Sequence, residues 1–461
     1  MMVDRLSAED RIMLWSDARW PQDIGALAIL DGQALLEPDG RFRIEAARAA
    51  IASRLNRLPR ARQVLCEPAR TLGGPLWIDA PEFDLRRHVQ VAQVPPPGDE
   101  TQLLQTTERL RRGRLDRSRP LWEIWFLPGL PDGRVGMFIR LHHAIADGVA
   151  TVAALGSLLD PIAEVADAPA PPWSPAPTPT GLELFADNVR RRLAGLGRAA
   201  AVLTHPATTV RRVRAGWPAL REILAGKPGP QTSLNLVVGP DRSLALIRST
   251  LEQVSRVAHE HQATVNDVLL AMTAGGLRGL LAARGESTDR LTVPVYVPVS
   301  LRRDRDHSDT GNLISQLVVP LPLDTIDAGA RLDRITRATT ERKSGHRPSL
   351  GSMFRSKAIA SILLTFIARQ RVNVETADLP GPAGPLYFAG ARLLEVFPVV
   401  NLVGNVSLGV GAVSYAGQFS IMAVADADGY PDIDIFAAGA RTELRKLSRS
   451  RSARGTVDSG W

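Results

Sequence analysis

The sequence predicts an α/β protein of two domains, and three observations carry that prediction. At 461 residues the chain is too long for one compact core. Period-2 apolar stretches recur between segments whose apolar residues fall at helical spacing, so strands and helices are interspersed along the chain. Pro169, Pro171, Pro172, Pro175, Pro177 and Pro179 crowd one short segment that can be neither helix nor central strand and reads as an extended linker. The expected partition is residues 1–165, a linker with basic helices over 166–230, a second unit over 231–447 and a basic tail over 448–461.

In the first unit, Ser7 with Asp10 forms a capping-box pattern that opens a helix through Trp15. Ile24 to Leu30 reads as a buried strand, and Ile44, Ala47, Ile51, Leu55 and Leu58 recur at helical spacing. A helix near Thr101 to Leu110 precedes Pro120-Leu121-Trp122. There Trp122, Ile124 and Phe126 alternate with Leu121, Glu123 and Trp125, as in a strand buried on both faces. Trp122 is read as core or tunnel wall, and the block as architecture. Val135, Met137, Ile139 and Leu141 then alternate with Gly136, Phe138, Arg140 and His142, the pattern of another strand. Parity places His143 on the apolar Val135/Met137/Ile139/Leu141 face and His142 on the other. Gly148 to Leu155 reads as a helix, so the histidine pair closes a strand and the turn after it leads into a helix.

That placement suits a general base. Imidazole has an unperturbed pKa of about 6.5, so its neutral form is available to take a proton. Neighbours must fix its tautomer and orientation. Asp147 lies where a turn can fold it beneath the pair, and Gly148 removes a side chain where another group approaches. Two strand-end histidines followed by an ordinary Asp-Gly turn is the plain alternative. The remaining histidines, His88, His205, His259, His261, His307 and His346, read as surface groups.

In the second unit, Leu244 to Ile247 is a strand and a helix follows from about Thr250. Thr264 and Asp267 form a second capping-box pattern, which places Asn266 in the first turn of a helix through Leu277. An amide at a helix N-terminus can donate to a developing oxyanion; a purely structural amide is the alternative. Leu291 to Val297 reads as a strand with an edge-type proline, and Leu313 to Val319 as another. Ala358 to Ile367 is an apolar helix too short to span a bilayer. Leu402 to Val413 and Ser420 to Val424 are two further strands, with glycines at 404, 409, 411 and 417 that suggest close backbone packing. A closing helix covers Asp432 to Leu447.

Composition excludes some classes. Cys66 is the single cysteine, so neither a disulfide framework nor a thiolate zinc cluster is available, and no metal is expected. No run reaches the roughly 18 apolar residues of a spanning helix. The N-terminus lacks a signal-peptide apolar core. The net charge of +8 suits an anionic partner such as coenzyme A or an anionic membrane. Arg190-Arg191-Arg192, Arg198, Arg211-Arg212 and Arg214, interrupted by Leu184, Phe185, Leu193, Leu196 and Trp217, read as a solvated helical pair or as an interfacial patch. The basic residues lack the aromatic interleaving of a nucleic-acid binder. A cytoplasmic protein is expected, with peripheral contact to the inner membrane face or to lipid inclusions.

Together, His142-His143 with Asp147-Gly148 make the HHxxxDG signature of acyl-CoA-dependent acyltransferases, a superfamily that includes chloramphenicol acetyltransferase and peptide-synthetase condensation domains. Within it the chain resembles the bacterial wax ester synthase/diacylglycerol acyltransferase family. The Leu115–Glu123 segment resembles that family's PLW block and Ala263–Ala271 its ND block; Val297–Arg302 and Leu379–Pro382 are weaker matches in the same order. The resemblance implies two chloramphenicol-acetyltransferase-like domains, each a mixed sheet packed with helices, with an active-site tunnel at their junction. It implies acyl transfer from acyl-CoA, as co-substrate and without a bound cofactor, to diacylglycerol or a long-chain alcohol. His143 is then the base, His142 supports the turn, Asp147 orients it, and Arg302 pairs with Asp147. Pro120, Leu121 and Trp122 are tunnel candidates. Ala377-Asp378 departs from the family's Ser/Thr-Asn. An acyltransferase using polyketide-type or carrier-bound donors, and an inactive lipid-binding homologue, remain open at this point.

Overall fold

A computed structural model describes residues 3–17, 19–58, 60–145, 155–164, 172–204, 229–300, 314–343 and 372–450. In the first half, helix α1 (Ala8–Asp17) starts where Ser7 Oγ accepts the Asp10 N–H at 3.0 Å. Strand β1 (Asp23–Leu30), α2 (Ile44–Ala52), β2 (Gln63–Cys66), β3 (Leu76–Asp79), β4 (Val89–Val91), α3 (Glu100–Arg112), β5 (Trp122–Leu127) and β6 (Val135–His142) follow. Residues 172–180 run exposed and without regular structure into α4 (Gly181–Thr204).

The second half holds β7 (Arg242–Thr250), α5 (Leu251–Glu260), α6 (Val265–Ala283), β8 (Thr292–Ser300), β9 (Ile314–Pro322), α7 (Ala328–Lys343), β10 (Val374–Pro380), β11 (Tyr387–Phe388), β12 (Ala391–Val399), β13 (Leu408–Tyr415), β14 (Gln418–Asp426) and α8 (Ile433–Leu447). The expected capping box at α6 is complete: Thr264 Oγ1 accepts the Asp267 N–H and Asp267 accepts the Thr264 N–H. Because α6 is apolar almost all round, it is a core helix. Glycines on both helices bring α6 and α8 close, for a Cβ at Gly439 of α8 would lie 2.8 Å from the Gly275 carbonyl oxygen of α6.

Two six-stranded mixed sheets carry the fold, in the orders β11-β12-β1-β6-β5-β4 and β7-β14-β13-β10-β8-β9. Sheet membership does not follow chain order. β11 and β12, from the second half, complete the first sheet, with Gly25 opposite Val399 and Ala28 opposite Val396. β12 then packs against β13 of the second sheet. That approach needs Gly409 and Gly411: a Cβ at 409 would sit 2.4 Å from Val400 Cγ2, and one at 411 would sit 3.0 Å from the Pro398 carbonyl oxygen. Gly404 and Gly417, with positive φ and open space, are turn glycines instead.

Three sequence expectations change. β8 is not an edge strand; Pro294 is accommodated because β10 pairs with β8 only at Val295 and Tyr296. His88 is buried, stacked between Phe83 and Trp122, with Nδ1 2.8 Å from the Trp122 carbonyl oxygen; burial pushes its pKa down. His261 is buried as well, 3.8 Å from Asp333. Local polarity around these residues in sequence said nothing of the aromatic and helical surfaces that fold over them. The helix from Gly148, the apolar stretch Ala358 to Ile367, the tail beyond residue 450, and His205, His307 and His346 lie outside the described residues.

Filling the seam between β12 and β13 should separate the sheets. Gly411→Val is expected to lower unfolding free energy by about 1–3 kcal/mol. Urea denaturation would read this as a lower midpoint with an unchanged slope; an unchanged midpoint would show that the seam tolerates the extra volume.

Candidate active site

β6 delivers the histidine pair at its C-terminal end. Its odd residues Val135, Met137, Ile139 and Leu141 pack into the core with β1 and α2, while Phe138 faces the other sheet. Beyond β6, the His143 N–H donates to the Gln22 carbonyl at 2.8 Å, one more step in the pairing with β1. The turn then closes through the Ile145 N–H to the His142 carbonyl at 2.9 Å.

The two imidazoles end in different surroundings. His142 is 2% exposed, and its Nδ1 accepts the Ala144 N–H at 3.1 Å. With Nδ1 accepting, the ring proton belongs on Nε2, which lies 3.4 Å from Asp17 Oδ1. Asp17, at the end of α1, also takes the Gln22 N–H at 3.0 Å and Arg117 Nη2 at 2.8 Å. Burial opposes its charge, but the nearby His142 ring and the bonds from the Gln22 N–H and Arg117 outweigh it and hold the carboxyl well below the usual carboxylate range. Asp17 is therefore ionised at neutral pH and fixes the tautomer of His142. One row back, Arg140 meets Glu123 at 2.9 Å, Asp23 at 3.3 Å and the Arg111 carbonyl at 2.9 Å, so this face of β6 is an ionic support.

His143 is half-buried and belongs to the opposite, apolar row. That row lines an apolar pocket where the sheets meet, walled by Ala28 of β1, Met137 and Ile139 of β6, Val396 of β12, and Val413 and Tyr415 of β13. The Tyr415 hydroxyl is turned away, donating to the Leu393 carbonyl at 3.0 Å and accepting the Leu386 N–H at 2.8 Å. The wall is hydrocarbon in character, and the histidine row runs out of it. His143 thus follows, two residues beyond Leu141, the strand row whose Met137 and Ile139 line the pocket.

The other expected residues fall variously. Asp147, Gly148 and Arg302 lie outside the described residues. Asn266 is half-buried in the first turn of α6, and its amide makes no side-chain hydrogen bond among the described residues, whereas Asp267 is committed to the cap and to Thr339 Oγ1 at 2.8 Å. Pro120, Leu121 and Trp122 are buried in packing; Trp122 Nε1 donates to the Ala61 carbonyl at 2.8 Å, and none of the three lines the cavity. Arg119 pairs with Asp116, but Arg117 reaches Asp17 instead, which links this block to the histidines. Burial pushes the Asp378 carboxyl, in the departing segment, up to about 6. Sequence reasoning missed Asp17, Gln22 and Asn401, whose Nδ2 donates to Gln22 Oε1 at 3.1 Å. Trp20-Pro21 before β1 hinted at a turn there, but no local pattern ties these residues to a histidine more than a hundred positions away.

Solved structures share this architecture. The wax ester synthase/diacylglycerol acyltransferase from Marinobacter aquaeolei VT8 superposes with a TM-score of 0.69 at 22% identity, covering 96% of this chain and 98% of that one. The first condensation domain of the calcium-dependent antibiotic synthetase superposes with a TM-score of 0.61 at 18% identity, covering 98% of each chain. The fold is thus that of two-domain acyltransferases of the chloramphenicol acetyltransferase type. Residues 6–269 match the wax ester synthase/diacylglycerol acyltransferase catalytic domain, and residues 310–448 match the C-terminal domain of the same family. A Mycobacterium tuberculosis protein named as a probable diacylglycerol O-acyltransferase, tgs1, is 32% identical over 94% of this chain and 95% of its own length. The chain belongs to the wax ester synthase/diacylglycerol acyltransferase family and is an O-acyltransferase.

Asp17→Asn keeps the shape of the side chain and removes its charge. Losing a charge-assisted bond of ~1.5–3 kcal/mol to the turn should lower kcat roughly 10–100-fold while KM for acyl-CoA changes little. Steady-state release of the CoA thiol measures both. An unchanged kcat would leave His142 without a role for its carboxylate neighbour.

Proposed function

We propose that the protein transfers a long-chain fatty acyl group from acyl-CoA to the hydroxyl of a diacylglycerol, a long-chain alcohol or both. The observation that carries this reading is the apolar cavity on the same strand face as His143. A hydrocarbon chain lying along Met137 and Ile139 brings its carbonyl end towards the imidazole. His143 then takes the hydroxyl proton as the alcohol oxygen attacks the thioester carbon. Collapse of the tetrahedral intermediate breaks the carbon–sulfur bond, and the thiolate leaves with the proton from the imidazolium. Acyl-CoA serves as co-substrate, and the scheme uses no bound cofactor or metal. Asn266 is the proposed donor to the oxyanion, with Asp147 and Arg302 paired behind the turn and Gly148 leaving the approach clear.

His143→Ala is expected to cut turnover ~10²–10⁴-fold with an unchanged melting temperature. The assay is thiol release from palmitoyl-CoA, dependent on added diacylglycerol or hexadecanol. A rate equal to wild type would remove His143 from the chemistry.

The same reading places the protein against an anionic lipid surface. On α4, Leu182, Phe185, Leu193 and Leu196 are exposed, Leu182 by 78%. At 100° per residue they form one stripe, flanked on either side by exposed Arg190 and Arg192. The opposite side is tied to the body, with Leu184 buried and Asp187 bonded to Arg5 at 2.7 Å. Among the described residues no helix is long and apolar enough to cross a membrane, so contact would be peripheral. The protein is expected to sediment with phosphatidylglycerol vesicles at low salt, less so after Leu193→Asp, and to be released at high salt. Protein that stays in the supernatant at low salt would remove the membrane contact.

A further inference from the structure

The second sheet carries a polar pair that the chemistry above does not use. On β10, Val374 belongs to the core beneath α6, so Glu375 points the other way, with Gly409 opposite it on β13 and Tyr296 opposite it on β8. That face looks towards the first sheet. Gly409 is the residue against which Val400 packs; the neighbouring Asn401 bonds Gln22, whose carbonyl holds the His143 N–H. Val400 follows Val396 and Pro398 on the cavity side of β12, which pairs with Ala28 and Ala26, and the cavity side of β6 is the His143 row. Strand register thus turns Glu375 and Tyr296 to the Gly409 side of the second sheet, the side that Val400 and Pro398 meet beside the Gln22–His143 turn.

Among the described residues neither member of the pair has a hydrogen-bond partner. Glu375 has no hydrogen bond or ion pair among the described residues, and the Tyr296 hydroxyl is buried without a partner. Tyr296 is 6% exposed. Glu375 keeps part of its surface open, yet burial with no compensating charge pushes its carboxyl up to about 7. The two facts agree if the opening is into an enclosed cleft. A buried donor left unpaired is costly, so such a pair calls for a ligand group that accepts hydrogen bonds.

We infer that Glu375 and Tyr296 form an acceptor subsite that hydrogen-bonds an ester carbonyl of a glycerolipid whose free hydroxyl lies at His143. The inference rests on the acyl-transfer reading above and deepens it. A long-chain alcohol carries one polar group, the hydroxyl that reacts, and leaves both donors unpaired. A diacylglycerol carries ester carbonyls a few bonds from its hydroxyl. The subsite selects glycerolipid over plain alcohol.

The experiment measures steady-state kinetics with palmitoyl-CoA, comparing dioleoylglycerol with hexadecanol for wild type, Glu375→Leu, Glu375→Gln and Tyr296→Phe. Glu375→Leu and Tyr296→Phe are expected to lower the kcat/KM ratio of dioleoylglycerol to hexadecanol by about tenfold, chiefly through KM for dioleoylglycerol. Glu375→Gln, which keeps a donor, should retain most of the preference. Equal loss with both acceptors, an unchanged ratio, or a KM increase confined to palmitoyl-CoA would each overturn the subsite. A wild-type protein that releases no thiol with either alcohol would overturn the acyl-transfer reading itself, a different result from any of these.

Discussion

The pairing of β12 with β1 is the constraint on which the rest of the structure depends. A segment from the second half of the chain leaves its own sheet, completes the first, and returns directly to β13. The sheets are thereby joined by continuous chain and by backbone hydrogen bonds along β1. The seam is narrow because Gly409 and Gly411 carry no side chains, and the apolar cavity opens beside it. A hinge between two independent sheets would leave that cavity free to change shape, whereas a strand of the second half paired into the first sheet ties its walls together.

The two histidines differ sharply in surroundings. One imidazole is buried among Asp17, the turn N–H and the ionic row of Arg140, Glu123 and Asp23, where its tautomer is set. The other stands at the end of an apolar row with part of its surface open. The proposed base needs access and its neighbour needs burial; adjacent residues on a strand obtain both without any extra element. The basic stripe of α4 extends the same economy to the surface, since its buried side anchors it and its exposed side is left apolar between arginines.

Much of this was legible in the chain. The alternation through Val135 to Leu141 predicted β6 and the side of the strand on which His142 falls, because the side-chain period of a strand is set by the backbone. Both capping patterns, Ser7 with Asp10 and Thr264 with Asp267, were local and were found in place. Gly409 and Gly411 announced a close approach, although not what approached. Illegible were β12 as a strand of the first sheet, the interior position of β8, and the burial of His88 and His261. Each depends on a partner far along the chain that leaves no periodic trace at the residue concerned.

The sequence by itself determined which side chains could do chemistry and which way a strand would turn them, since those properties are written in residue type and spacing of two. Only the tertiary structure decided what they would meet. Asp17 reaches His142 across more than a hundred residues, and Glu375 and Tyr296 come side by side because β10 and β8 run parallel in one sheet. Long-range pairing is a cooperative outcome of packing the whole core, so no local pattern encodes it.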